Sequence, residues 1–149
     1  MRSSTASSRS DPGDAILRAL FVLWGIGHLA IGLVGTAFPR WFFRSVPPWP
    51  PLHVGQIQIG GIFDLAMATA FLVGATDVAR YASLVLPVGV VAEVGHALVR
   101  IGHVVAGDNP RDDLVLPSLM LLVGGMLAAA GVRRRRRLSV PRNEADASP

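Results

Sequence analysis

The sequence contains no cysteine and no lysine. The first absence excludes disulfides, thiolate catalysis and Cys-ligated metals, and it leaves the redox compartment unread. The second means that all 14 basic residues are Arg, five of them consecutive at positions 133–137. Charge of either sign is scarce. Asp, Glu, Lys and Arg make up 16% of the chain, against about a quarter in soluble domains. Together with a mean hydropathy of +0.47, this excludes an ordinary soluble domain. An isoelectric point near 11.2 would suit a nucleic-acid binder, but the arginines flank apolar runs instead of interleaving with aromatics on a polar surface. The bilayer is therefore read as the partner, and nucleic acid is not.

What is present is four apolar runs in 149 residues, enough for one domain. At ~1.5 Å per residue against ~30 Å of hydrocarbon, each is long enough to span. The spans are placed at about residues 16–38, 54–74, 78–103 and 114–132. The fold class expected is an all-α, integral membrane, up-down four-helix bundle over residues 14–132. The tails at 1–13 and 133–149 are Ser-rich or strongly charged and are read as disordered. Asp14 is the expected N-cap of the first span. A secretory signal is the rival reading of the start, but the uncharged run at 19–38 exceeds a signal's apolar core and no small-x-small cleavage site follows it.

The third span organises the rest. Its second half carries Glu93, His96, Arg100 and His103 at spacings of three, four and three. At ~100° per residue these four fall within one wedge of a helix. Ionisable groups inside a membrane helix cost about 2.5–3.5 kcal/mol each on insertion scales, so they face protein or water and mark function more often than not. Pro87 should kink the helix just before this polar half.

The first span repeats the spacing with Gly25, His28, Gly32 and Gly35, a groove of glycines around one imidazole, with Trp24 one turn before it. Glycines at such spacing let another helix approach closely, so a packing seam with a satisfied histidine is the plain reading of His28. The second span starts with Gln56 and Gln58 and holds Asp64 near its middle. Gln56, Gly60 and Asp64 follow one edge, with Gly61 and Ala68 as packing surface. The fourth span has no ionisable group, and its small-residue stripe (Gly124, Ala128, Gly131) suits packing support or a homodimer contact. The loop at 38–52 places Trp41, Phe42, Phe43 and Trp49 at headgroup level, and Pro47, Pro48, Pro50 and Pro51 favour a stiff turn.

With both tails inside, the cytoplasmic side carries ten arginines (Arg2, Arg9, Arg18, Arg80, the run at 133–137 and Arg142). The outer side carries four: Arg40, Arg44, Arg100 and Arg111. The positive-inside rule then puts both termini in the cytoplasm and the protein in the inner (plasma) membrane. Counting depth along the spans, His28 and Asp64 lie near the midplane, with Glu93, His96, Arg100, His103, Gln56 and Gln58 further out. The inference is a polar pocket from spans one to three, opening outward.

Three readings of that pocket compete. In the first it binds a lipophilic small molecule or turns it over without a cofactor. Glu93, Asp64, His96 and His28 would then be the acid–base set, with Gln56, Gln58, Arg100, His103 and Trp24 as ligand contacts. In the second, Glu93-x-x-His96 has the spacing of carboxylate-bridged di-iron bundles, but those need a second such motif and two further carboxylates. Only Asp64 and His28 remain as further ligands, which leaves room for a mononuclear site at most, and no metal or other cofactor is assigned. In the third the chain is an accessory subunit whose polar cluster grips a membrane-protein partner or holds the helices together.

Four short spans with a Gly-Gly pair in the second (Gly60, Gly61) followed by the acidic Asp64 resemble the DoxX-like group of small bacterial membrane proteins, over roughly residues 16–132. The resemblance implies a compact four-helix membrane protein, in some members an accessory of redox systems. A weaker likeness is to bundles of the sterol-isomerase and sigma-2-receptor type, which use intramembrane carboxylates on lipophilic ligands.

Overall fold

A computed structural model describes residues 12–45, 52–107 and 114–139. These form five helices and no strand: α1 (Pro12–Ala37), α2 (Pro39–Ser45), α3 (Val54–Thr76), α4 (Val78–Ala106) and α5 (Val115–Ser139). Among them α1, α3, α4 and α5 are long and apolar enough to cross a membrane. The chain is an all-α, multi-pass membrane protein, as its hydropathy requires. Outside the described residues lie the expected disordered stretches at 1–11 and 140–149, the prolines at 47, 48, 50 and 51 with Trp49, and Asn109-Pro110, which the sequence reads as a loop breaker.

Helix ends follow local chemistry. α1 begins at Pro12, two residues before the expected cap. Proline suits the first helical position because its missing N–H would have no partner there. Asp14 thus falls in the first turn, where a carboxylate favours the helix dipole. The Phe38 N–H donates to Val34 O at 2.8 Å to close α1, and Pro39 opens α2 inside what the sequence reads as loop. α3 runs on through Thr76, whose hydroxyl donates to Val73 O at 2.7 Å. Asp77 alone separates it from α4 and caps it, accepting from the Arg80 N–H at 3.0 Å. α4 continues through Pro87 and ends at Gly107, whose φ of 71° is a left-handed stop.

The largest difference from expectation is at α5. It continues past Val132 through the arginine run to Ser139 instead of giving way there to a tail. Arginine is a strong helix former, and cations in a last turn complement the dipole. Pro117 sits in its first turn and is buried.

The described residues pack as two units: 12–39 with 56–81, and 40–45 and 52–55 with 82–139. In the first, α1 buries Leu17, Phe21, Gly25, His28, Gly32 and Gly35 along one stripe, which contains the expected glycine face. α3 buries Gly61, Met67, Ala68, Phe71, Gly74 and Ala75. Phe21 meets Phe71 at 5.8 Å between ring centres, Gly25 lies against Leu72, and Gly35 lies near Ile57 and Gly61. Ascending positions on α1 meet descending positions on α3, so the two helices are antiparallel.

In the second unit α5 meets α4 antiparallel, with Gly124 beside Val94 and Gly131 near Leu86. The packed edge of α5 runs through Pro117, Gly124 and Leu127. Ala128 is exposed, so the expected stripe of Gly124, Ala128 and Gly131 is not the one used. Pro117, Gly124 and Leu127 stand seven and three apart and so share one face, whereas Ala128 lies ~100° to one side of Leu127.

Candidate functional site

The polar centre of the first unit is built where two helix backbones nearly touch. A methyl group placed on Gly32 would lie 2.8 Å from Gly61 O and 2.9 Å from Leu65 N. One placed on Gly61 would lie 2.8 Å from Thr36 N and 2.9 Å from Gly32 O. No side chain fits there, so the axes of α1 and α3 come close. Short polar groups one turn away can then reach each other.

They do. His28 Nδ1 lies 2.7 Å from Asp64 Oδ1, with the two side chains 8% and 14% exposed. This is a short hydrogen-bond geometry between an imidazole nitrogen and a carboxyl oxygen. A carboxylate on Nδ1 fixes the ring's orientation and directs Nε2 away from Asp64. The ring is also held by aromatics. Phe71 stacks on its face, with centroids 5.8 Å apart and planes 14° apart. Trp24 stands edge-on at 6.2 Å and 80°. An imidazole so clamped has one orientation, which is the requirement for a specific polar contact in an apolar medium.

Thus His28, Asp64 and Trp24 of the sequence-selected residues come together. Phe71 joins them without having been selected. Its signal was available, because it follows Asp64 by seven residues and so lies on the same helical face two turns on. Gln58 is exposed and its Nε2 donates to Thr36 O at 3.3 Å, near the end of α1. Gln56 and Gly60 are exposed, so of the expected edge of Gln56, Gly60 and Asp64 only Asp64 is drawn into the helix contact.

The α4 wedge divides. Glu93 is 1% exposed, in the buried stripe of Val78, Ala82, Val85, Leu86 and Ala97, and its Cβ lies 3.5 Å from where a methyl on Gly124 would stand. His96 is exposed, while Arg100 and His103 are half-buried. Of the four residues on this wedge only Glu93 is buried. Among the described residues no three His, Asp or Glu side chains gather as a metal-binding group.

No family model matches the chain, and no curated protein and no solved structure matches it.

Proposed function

We propose that this protein binds a lipophilic small molecule bearing a polar group, with the His28–Asp64 pair as the polar contact. One observation carries the reading: a carboxylate-oriented imidazole, 2.7 Å from its partner and clamped by two aromatic rings, in membrane-spanning helices. Burying two ionisable groups in such segments is costly, and a low-dielectric medium strengthens any polar contact they make with a ligand. Trp24 supplies apolar surface for the ligand's body, Phe71 backs the imidazole from its buried side, and Nε2 of His28 is the atom that meets the ligand's polar end. Glu93 is a second buried carboxylate for the same class of ligand.

The resemblance to the DoxX-like group supports this reading to the extent that Gly61 and Asp64, two of the residues that carry it, are those that form the α1–α3 contact. The arginine distribution supports a plasma-membrane location with both termini in the cytoplasm. A catalytic reading is favoured by the same pair, because an imidazole steered by a carboxylate is a proton-transfer group. In that case the protein isomerises, or opens a strained ring in, the molecule it binds.

The test is native mass spectrometry with lipid and metabolite extraction on detergent-purified protein, wild type beside Asp64→Asn. Asparagine keeps an acceptor for His28 and removes the charge. The expected result is a lipophilic species on the wild type that is lost from a variant of unchanged helicity. Retention of the species by the variant would overturn the proposal. So would a wild type without ligand beside a variant that unfolds, which would make the pair a structural link or a partner-facing cluster.

A further inference from the structure

The short helix α2 is left unused by this reading, and its setting is specific. Positions 19–38 hold no Arg, Asp or Glu, which makes about 30 Å of chain in helical geometry, the full thickness of the hydrocarbon. α1 ends at Ala37 and α2 (Pro39–Ser45) follows after one residue, so α2 begins where the apolar core ends. At ~100° per residue Arg40 and Arg44 stand one turn apart and within ~40° of each other, with Trp41 beside them. All three are exposed, Trp41 by 59%. Pro39, Phe42 and Phe43 make the opposite, half-buried side. The helix therefore presents two guanidinium groups and an indole together at headgroup depth.

Like charges four apart oppose a helix, and a helix of seven residues has little stability of its own to spare. The neighbouring sequence supplies no counter-charge. No Asp or Glu stands between Asp14 and Asp64, and Asp64 is bonded to His28. Among the described residues neither Arg40 nor Arg44 has a hydrogen bond, an ion pair or a ring contact. With the termini in the cytoplasm, as proposed above, the pair stands on the side poorer in arginine, so a topology signal does not account for it. Residues four apart on a helix have Cβ atoms about 5–6 Å apart, a gap that two guanidinium groups can close on one phosphate, each offering a fork of N–H donors. The indole suits the same depth, with its ring against acyl chain and its N–H toward the headgroups. We propose that Arg40 and Arg44, flanked by Trp41, form a binding site for the phosphate of an anionic phospholipid, the lipid's charge relieving the repulsion within α2.

The experiment uses the full chain with Trp24→Phe and Trp49→Phe, which leaves Trp41 as its tryptophan. The protein is reconstituted in vesicles of phosphatidylcholine and phosphatidylglycerol, with one lipid and then the other brominated on its acyl chains. Quenching of Trp41 reports which lipid stands beside it. Phosphatidylglycerol should be enriched there at least about fivefold over its share of the bilayer, because each arginine at a membrane surface favours an anionic lipid. Arg40→Gln together with Arg44→Gln should abolish the enrichment, and the arginines at the other end of the bundle, being distant from Trp41, should not restore it. Replacing both by Lys should leave an enrichment about twofold or more below the parent's, reflecting loss of the paired hydrogen bonds while the charge stays. Equal quenching by the two lipids in the parent would overturn the proposal whatever the variants do. An enrichment that survives in the Gln variant would place the lipid on other groups and overturn it as well. Should the Gln variant lose helicity, the Lys variant decides, and an enrichment there equal to the parent's would overturn the guanidinium site. Inorganic phosphate at millimolar concentration should not reduce the enrichment, and a reduction by it would overturn the lipid in favour of a soluble anion.

Discussion

The two helix seams are made on opposite terms. Between α1 and α3 the backbones themselves are in contact: Gly32 and Gly61 face carbonyl oxygens and amide nitrogens less than 3 Å from any added carbon. Between α4 and α5 the facing groups are side chains, with Val94 Cγ2 2.8 Å from a methyl placed on Gly124 and Leu86 Cδ1 3.8 Å from one on Gly131. The difference decides where short polar side chains can meet. A histidine and an aspartate reach each other only across closely approached axes, and they do so in the glycine seam. In the other seam Gly124 makes room for a methyl of Val94, and Glu93 is buried beside it at ordinary contact distance. Small residues thus have two uses in one chain: joining backbones in one seam, and admitting a neighbouring helix's side chain in the other.

The comparison breaks first at Gly61. Gly61→Ala puts a carbon against backbone that cannot rotate away, and should cost at least about 1–3 kcal/mol, read as a lowered thermal midpoint in detergent. The neighbouring Gly60→Ala meets open space and should leave the midpoint unchanged. Equal effects at the two positions would show that the α1–α3 contact is not made through Gly61.

Next in size is the polar pair. In His28→Ala, Asp64→Ala and the double variant, the coupling measured by a thermodynamic cycle should be about 0.6–1.7 kcal/mol, the range of hydrogen bonds between membrane helices. A coupling near zero would mean that the two residues do not interact in the folded protein.

The smallest effects belong to the second seam. Gly124→Ala presses on a terminal methyl of Val94, which can shift, and should cost no more than about 1.5 kcal/mol. Gly131→Ala makes only ordinary contact and should lie within about 0.5 kcal/mol of wild type. A Gly124→Ala cost equal to that of Gly61→Ala would erase the distinction between the seams.

Much of this was legible in the sequence, for reasons that differ by element. The four long helices follow from length and hydropathy, signals that a bilayer makes nearly obligatory. The glycine face of α1 was visible because three- and four-residue spacing maps directly onto a helix surface. The partner of His28 was not readable, because spacing fixes a face and not what lies opposite. Asp64 was one of several groups at similar depth. The α4 wedge divides for a related reason: Glu93, His96, Arg100 and His103 share a sector, yet of the four only Glu93 is buried. Ala128 shows the same limit, since small residues stand on packed and exposed faces alike. The extension of α5 was obscured by charge, which suggests solvent but does not end a helix.

The most direct test of the account is the nitrogen-15 spectrum of His28 in lipid-reconstituted protein, assigned by its loss in His28→Gln, before and after extraction of the co-purifying lipophile. The account predicts an Nδ1 resonance that moves in Asp64→Asn and an Nε2 resonance that moves when the lipophile is removed. An Nε2 resonance indifferent to extraction, beside an Nδ1 that still reports Asp64, would contradict it and leave the pair as a link between two helices.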